Sequence, residues 1–407
     1  MPISVKDIID LDTLKKMELV AGQEGLQRAI EWIYVAECFE NPLEGIQWIQ
    51  GGELVFISGV GIKGDVDVLI KLIKGISERD GVGLIVNIGK YIESIPEAAI
   101  QIANELEFPL FTLPWEVKLV EVSKEISNAI ILSRIEENSL NQILNNMLFG
   151  DGMLEANPVE KASSFGYNLE GKCYIGLIKL NEIEKFLKIK GISDEKEIEK
   201  IRVRFSRIVS EILNMNGLKL PIIEKNNEII IINKVNSNLE TNLERAFKEI
   251  QDRLKKDING LSVSIGIGNR YPDLKMVKQS LKEAELAIES ARCQGLNDTF
   301  TKYNEIGIYA LLYGVNNENI LKNYYSNVLG AIIEIDKKVK DISSIKILET
   351  YLNENCSITN TAEKLFMHRN TLKYRIKKIE ERLDCDLHDF DDCIKLRMAL
   401  YINKIIS

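Results

Sequence analysis

Histidine is almost missing from this chain: 407 residues contain two, His368 and His388. Any Ser-His-Asp or Cys-His triad would have to recruit one of them, so hydrolase chemistry of that kind is disfavoured. The six cysteines (Cys38, Cys173, Cys293, Cys356, Cys385, Cys393) are scattered and form no Cys-x-x-Cys pair, which speaks for a reduced chain. Cys385, His388 and Cys393 supply three zinc-type side chains where a tetrahedral site normally takes four, so they read as a chance grouping. Positive charge is in deficit as well: 52 Lys and Arg against 61 Asp and Glu leave a net charge of −9. That excludes a uniformly basic nucleic-acid coat, and any DNA contact must come from a local patch. No apolar run approaches the roughly 18 residues of a membrane span. The start, Met1 to Asp7, lacks the basic and then apolar pattern of a secretory signal. The expectation is a cytoplasmic chain with no membrane contact.

What is present is ordinary globular material. Hydrophobic residues make up 45% and charged residues 28%, enough to build several cores. At roughly 150 residues per domain the length suggests two to four domains. Residues 1–115 alternate short apolar runs (Arg28–Val35, Glu53–Ser58, Gly83–Asn87, Pro109–Leu113) with helical periodicity over Asp65–Glu78 and Pro96–Glu107. Strands separated by helices predict an α/β domain. From Val117 to Phe149 the pattern is helical, with Val122, Ile126, Ile130 and Ile131 as its apolar positions, and suits a connecting or dimerising helix. A second mixed unit follows. Its strands are expected at Cys173–Leu180, Glu228–Ile232 and Leu261–Ile267, and its helices at Ile198–Met215, Leu239–Lys256 and Leu274–Cys293. Residues 304–340 are again helical, and the end from Ile342 to Ile406 is all helix.

That end carries the strongest signal. Ile345, Leu348 and Leu352 form one apolar face, and Ile358, Ala362 and Leu365 form the next, with Thr359, Asn360 and Thr361 marking its helix start. Phe366-Met367-His368 interrupts the pattern, which resumes at Leu372, Ile376, Ile379 and Leu383. Two short helices around a three-residue turn, with a third packed across them, describe a helix-turn-helix. Lys364 to Arg382 holds seven basic and two acidic residues, a charge of +5 inside a chain of −9. Arg369, Asn370, Thr371, Lys373 and Tyr374 sit at the start of the second helix, where base edges of a major groove are read. Thr359, Thr361, Arg375 and Lys378 are better placed for phosphates, Lys377 is a further DNA-binding candidate, and His368 is placed for capping that helix or touching phosphate. The competing reading of the basic stretch is a solvated helix in a bundle. Many such units carry glycine where Phe366 stands, so a differently shaped turn is expected.

The run Leu348-Glu349-Thr350-Tyr351-Leu352, Thr361-Ala362 and His368-Arg369-Asn370-Thr371-Leu372-Lys373-Tyr374-Arg375-Ile376 resembles the C-terminal helix-turn-helix of PucR-type (purine-catabolism regulator) transcription factors. It is similar, more distantly, to the DNA-binding end of the Fis type. Val20-Ala21-Gly22-Gln23-Glu24-Gly25-Leu26, Trp48-Ile49-Gln50-Gly51-Gly52-Glu53-Leu54-Val55 and Phe108-Pro109-Leu110 resemble the PucR sensor domain, and Ile308 to Leu312 the segment before the DNA-binding end. The resemblance implies an α/β sensor (1–120), a connecting helix (121–158), a GGDEF-like α+β domain (159–303), a helical linker (304–340) and an all-α helix-turn-helix domain (341–407). It also implies a regulator of catabolic genes, often for purines or related nitrogen compounds. Its partners would be double-stranded operator DNA and a small-molecule effector. Because one reading head buries modest area, a homodimer or higher homo-oligomer binding two half-sites is also expected.

Two enzyme readings compete. Gly59-Val60-Gly61-Ile62-Lys63-Gly64 fits the G-x-G-x-x-G spacing of a dinucleotide site, but no acid for a ribose hydroxyl ends the next strand, Asn87-Ile88-Gly89-Lys90. A tight strand-to-helix turn is the simpler reading; alternatively Ser58, Gly59, Gly61 and Lys63 hold an anionic or carbonyl-bearing effector. The middle unit resembles a GGDEF (diguanylate cyclase) domain through Ser262–Ile267 and Ala284–Gly295. Nucleotide cyclisation needs metal-holding carboxylates. The resemblance puts the family's first-strand acids at Lys179 and Asn181 and its signature hairpin at Lys225–Ile229, without the glycines or the acid. A noncatalytic, cofactor-free domain is expected.

Overall fold

The structure is a computed structural model that describes residues 3–36, 42–62, 64–150, 157–235, 237–258, 260–315, 317–336 and 342–406. The chain divides into two compact units, Met1–Ile265 with Arg270–Leu281, and Gly266–Asn269 with Lys282–Ser407.

The first unit opens with a short helix α1 (Val5–Ile8) and strand β1 (Glu18–Ala21). There follow β2 (Trp32–Val35), β3 (Glu53–Ile57), α2 (Val66–Glu78), β4 (Gly83–Ile88), α3 (Glu97–Glu105) and β5 (Leu110–Pro114). The sheet order is β1-β5-β4-β3-β2; β2 to β5 are parallel, and β1 runs antiparallel to β5. All five residues of β3 are buried, as expected of a parallel strand covered on both faces. Val55, Ile57, Leu84 and Val86 face a core completed by Leu69, Leu72, Ile73 and Ile76 of α2 and Ala99 and Ala103 of α3. The alternate residues Leu54, Phe56, Ile85, Phe111 and Leu113 face a second core that includes Val5, Ile8 and Leu14. Helix α4 (Leu119–Phe149) closes that core with Val122, Ile126 and Ile130. Ile131 does not join them: it turns outward, 54% exposed, because a step of one residue rotates it off the buried stripe. Pro96 caps α3, where its missing N–H costs nothing. β1, half exposed and only four residues long, was not legible in the apolar pattern.

The same unit continues with α5 (Pro158–Ser164), β6 (Cys173–Leu180), α6 (Ile183–Lys190), α7 (Glu195–Met215), β7 (Ile222–Lys225), β8 (Glu228–Lys234), α8 (Ser237–Asp257) and the start of β9 (Val263–Ile267), whose last two residues count with the second unit. The strands lie in the order β9-β6-β8-β7, with β8 antiparallel to both of its neighbours. Helix α9 (Val277–Cys293) leads across the division of the chain.

The second unit holds α10 (Ile308–Tyr313), α11 (Glu318–Asp336), α12 (Ser344–Asn353), α13 (Ile358–Lys364), α14 (Arg369–Leu383) and α15 (Phe390–Ile406). Within the stretch expected as a helical linker, α11 packs into the helical end. Leu329 and Ile332 of α11 lie in one core with Ile347, Leu348 and Tyr351 of α12, Ala362 of α13, Leu372, Ile376 and Ile379 of α14, and Leu396 and Leu400 of α15. The Asp336 carboxylate accepts from the N–H groups of Ser344 (2.8 Å) and Ile345 (3.1 Å), which fastens α11 to the start of α12.

Candidate nucleic-acid interface

Helix α13 is capped two residues earlier than the sequence suggests. Ser357, not Thr359, is the N-cap and accepts from the Asn360 N–H. The helix closes with two backbone bonds, Phe366 N–H to Glu363 O (3.2 Å) and Met367 N–H to Ala362 O (2.9 Å), which are those of a Schellman turn. The position that usually carries glycine is Phe366, at φ +51°. The turn therefore keeps the left-handed shape, contrary to the expectation of a different one. A side chain there costs about 1–2 kcal/mol, and the ring recovers nothing by burial, being 97% exposed. His368 then caps α14: its Nδ1 accepts from the Asn370 N–H at 3.3 Å.

Leu372, Ile376 and Ile379 mount α14 on the helical core, with Leu383 packed against it, and the opposite face is outward. Arg369, Asn370, Thr371, Lys373, Tyr374, Lys377 and Lys378 are all exposed, with the first five on the opening turns. The Lys378 ammonium lies 4.5 Å from the Tyr374 ring centroid, which keeps a cation and an aromatic edge together on one face. Unpaired N–H groups and the positive dipole end of a 15-residue helix add to this field. Such a surface is suited to a polyanion with readable edges.

Two candidates are drawn inward. Thr361 is fully buried, and its Oγ1 donates to the Ser357 carbonyl at 2.7 Å, so it cannot reach a phosphate; its hydroxyl is used within α13. Arg375 is half buried, and its Nη1 donates to the Ile342 carbonyl at 3.0 Å. Thr359 stays exposed on α13. Burial pushes the Cys385 and Cys393 thiols up to about 11, which disfavours the thiolates that zinc requires. Among the described residues no group of three or more His, Cys, Asp and Glu side chains is placed to hold a metal ion.

In the middle domain the β7–β8 hairpin turns on Asn226-Asn227, with Asn226 at φ +54°, a conformation that asparagine tolerates better than most residues. The Lys179 ammonium pairs with Glu228 Oε1 at 2.6 Å. Asn181 donates to Ser262 Oγ at 3.0 Å. Where the resemblance to a cyclase wants carboxylates around a cation, this chain sets a lysine and an amide.

At the carboxyl edge of the first sheet, Ser58 follows β3, 4% exposed, and its Oγ has no hydrogen-bond partner among the described residues. Gly59 takes φ +81°, and a Cβ there would press on Ile92 at 2.7 Å. Gly61 lies in the same turn, and Lys63 lies outside the described residues. The sequence reading missed what faces this loop from the next strands. The Tyr91 and Trp115 rings meet edge-on at 5.5 Å, and the Lys90 ammonium lies 5.2 Å from both. Asn87 is buried and donates to the Leu113 and Pro114 carbonyls (3.3 and 3.1 Å). The signal lay in Asn87-Ile88-Gly89-Lys90, read only for the acid it lacks.

Comparison with known proteins agrees with this layout. Residues 7–130 match the purine catabolism regulatory protein-like family, 151–290 the GGDEF-like domain, and 345–402 the PucR C-terminal helix-turn-helix domain. The chain thus carries an N-terminal region similar to the PucR sensor, a GGDEF-like middle region and a C-terminal region similar to the PucR helix-turn-helix. Among relatives of these PucR-type domains, the proline-responsive transcriptional activator PutR of Bacillus subtilis is 34% identical over 145 residues, 35% of this chain and 34% of that protein. The purine catabolism regulatory protein of the same organism is 34% identical over 146 residues, 36% of this chain and 27% of its own length. The match thus spans about a third of these relatives. A regulator of polyketide synthase expression from Bifidobacterium adolescentis, a solved structure, covers 66% of the chain and 99% of its own at 15% identity; its TM-score of 0.30 is too low to support an argument. Among the described residues no helix is long and apolar enough to cross a membrane.

Proposed function

We propose that this PucR-type chain is a sequence-specific transcriptional regulator that docks α14 in the major groove of operator DNA and answers a small nitrogen-containing metabolite through its N-terminal domain. The observation that carries the reading is the exposed Arg369, Asn370, Lys373 and Tyr374 at the capped start of α14, on a helix whose back is anchored in its own core. Base discrimination rests on Arg369 and Asn370, and Thr359, Lys377 and Lys378 hold phosphates. One such head buries modest surface, so a homodimer on two half-sites is the natural assembly. The outward Ile131, Leu132 and Ile135 of α4 favour that helix, alone or with the middle domain, as the contact. The relatives' names, one proline-responsive and one for purine catabolism, support an effector among amino acids or purine-derived compounds. The loop with Ser58, Gly59, Gly61 and Lys63 is its proposed seat, in keeping with ligand binding at the carboxyl ends of parallel strands. Effector binding then shifts the spacing of the two heads by favouring one of two states.

Selection of bound fragments from genomic DNA, with and without proline and purine metabolites, tests the whole reading. A shared motif whose occupancy changes with one compound is expected. Binding that ignores sequence at every salt concentration would overturn it.

A further inference from the structure

Beside α4 the first unit holds a cavity of about 400 Å³, within the size range of small-molecule sites. Its walls come from the chain entering β2, from one face of α4, and from α7 and β7. Asn138, Asn141 and Asn145 share the α4 face at steps of three and four. Asparagine is a poor residue for a helix interior, so three of them on one stripe are not explained by helix formation. Asn145 turns its Nδ2 back to the Asn141 carbonyl at 2.9 Å. Among the described residues the carboxamides of Asn138 and Asn141 have no partner in the chain.

The charges around the cavity are uneven. Arg134 donates from Nη2 to the Glu31 carbonyl at 3.0 Å and stacks its guanidinium 4.5 Å over the Trp32 ring. Neither partner is an anion. Arg207 donates to Glu31 Oε1 at 3.2 Å, its side chain is only 11% exposed, and its Nε–H is buried with no partner. The Glu224 carboxylate already accepts from the Ser206 hydroxyl. Among the described residues the walls therefore offer a guanidinium in no ion pair, a second one with an unanswered N–H, and two unpartnered carboxamides that each donate and accept. An apolar occupant would leave all of these unsatisfied. A doubly charged phosphate would meet the Glu31 and Glu224 carboxylates with too little positive charge to balance it.

We infer that this cavity binds a small metabolite bearing one carboxylate and further polar groups, with the carboxylate on the arginines and the polar groups on Asn138 and Asn141. The site is separate from the loop at Ser58. Because its walls belong to the sensor sheet, α4 and the middle domain, occupancy stabilises their mutual arrangement by mass action. Only this use as a control point rests on the regulator reading. The binding itself does not, and it is measured without DNA.

The test is calorimetry and Trp32 fluorescence on the full chain, with Trp48 and Trp115 replaced by Phe for the optical arm. The probes are the amino acids, the C2–C6 carboxylic and ureido acids, and the neutral amide of each. At least one acid is expected to bind, perturb Trp32 and raise the melting temperature, with its amide at least tenfold weaker. Asn138→Asp places a negative charge at an exposed position and should weaken the acid at least tenfold without lowering the melting temperature of the free protein. Arg134→Lys should retain more affinity than Arg134→Gln, and Ser58→Val should change nothing. No acid bound, amides bound as tightly as acids, or loss of binding in Ser58→Val but not in Asn138→Asp would each overturn the assignment. None of these results bears on operator binding.

Discussion

Arg375 Nη1 donates to the carbonyl oxygen of Ile342 at 3.0 Å, so one cation of the basic helix holds the chain in front of α12. Lys378, three residues on, is exposed beside Tyr374. Replacing Arg375 with Ala should lower stability by about 1.5–3 kcal/mol, the range for a hydrogen bond to a charged group. Lys378→Ala should leave the melting curve in place and reduce the slope of log affinity against log salt by about one. Thermal melts and DNA titrations over a salt series separate the two.

Arg369 and Asn370 should act on specificity. Each alanine variant is expected to lose about 1–3 kcal/mol of discrimination at one base position while binding to unrelated sequences changes little. Competition titrations with single-base operator variants measure this; equal loss on every sequence would move both residues to the phosphate class.

Phe366→Gly should stabilise the C-terminal unit by about 1 kcal/mol, because glycine accepts φ +51° without the side-chain clash and the exposed ring contributes no burial. A rise in melting temperature with unchanged operator affinity is the expected result. A fall in affinity would show that the ring is kept for the DNA.

The C-terminal unit should also carry an acid-sensitive pair. Burial of Glu349 works to raise its carboxyl, but the Lys404 ammonium at 2.8 Å and Lys346 at 3.7 Å outweigh it and hold the group below its ordinary value of 4.5. A depressed carboxyl contributes stability above its unfolded-state value, and that contribution is lost as pH falls through the folded-state value. Lys404→Met should therefore lower the melting temperature at neutral pH, and the gap to the parent should close as pH is taken below 4.5. Melts at a series of pH values read it directly.

With GTP and magnesium the purified chain should form no cyclic dinucleotide, since Lys179 paired to Glu228 occupies the ground where a cation would be held. Product detected by chromatography would require another metal site.

The sequence by itself determined the parts whose rules are local. Apolar runs bounded by glycine and proline marked β3, β4 and β5, and steps of three and four marked α12, α13 and α14. The excess of lysine and arginine around Tyr374 marked the candidate nucleic-acid face, because charge that need not be buried is free to be read from composition. Only the tertiary structure decided what each polar group does once neighbours arrive. Thr361 and Arg375 looked as available as Thr359 and Lys378, yet a buried hydroxyl must find an acceptor, and a long guanidinium can cross to a carbonyl 33 residues away. The same holds for α11, whose Leu329 and Ile332 complete a core that no spacing within residues 304–340 reveals. It holds again for Arg134 and Arg207, which meet Glu31 through long-range packing alone.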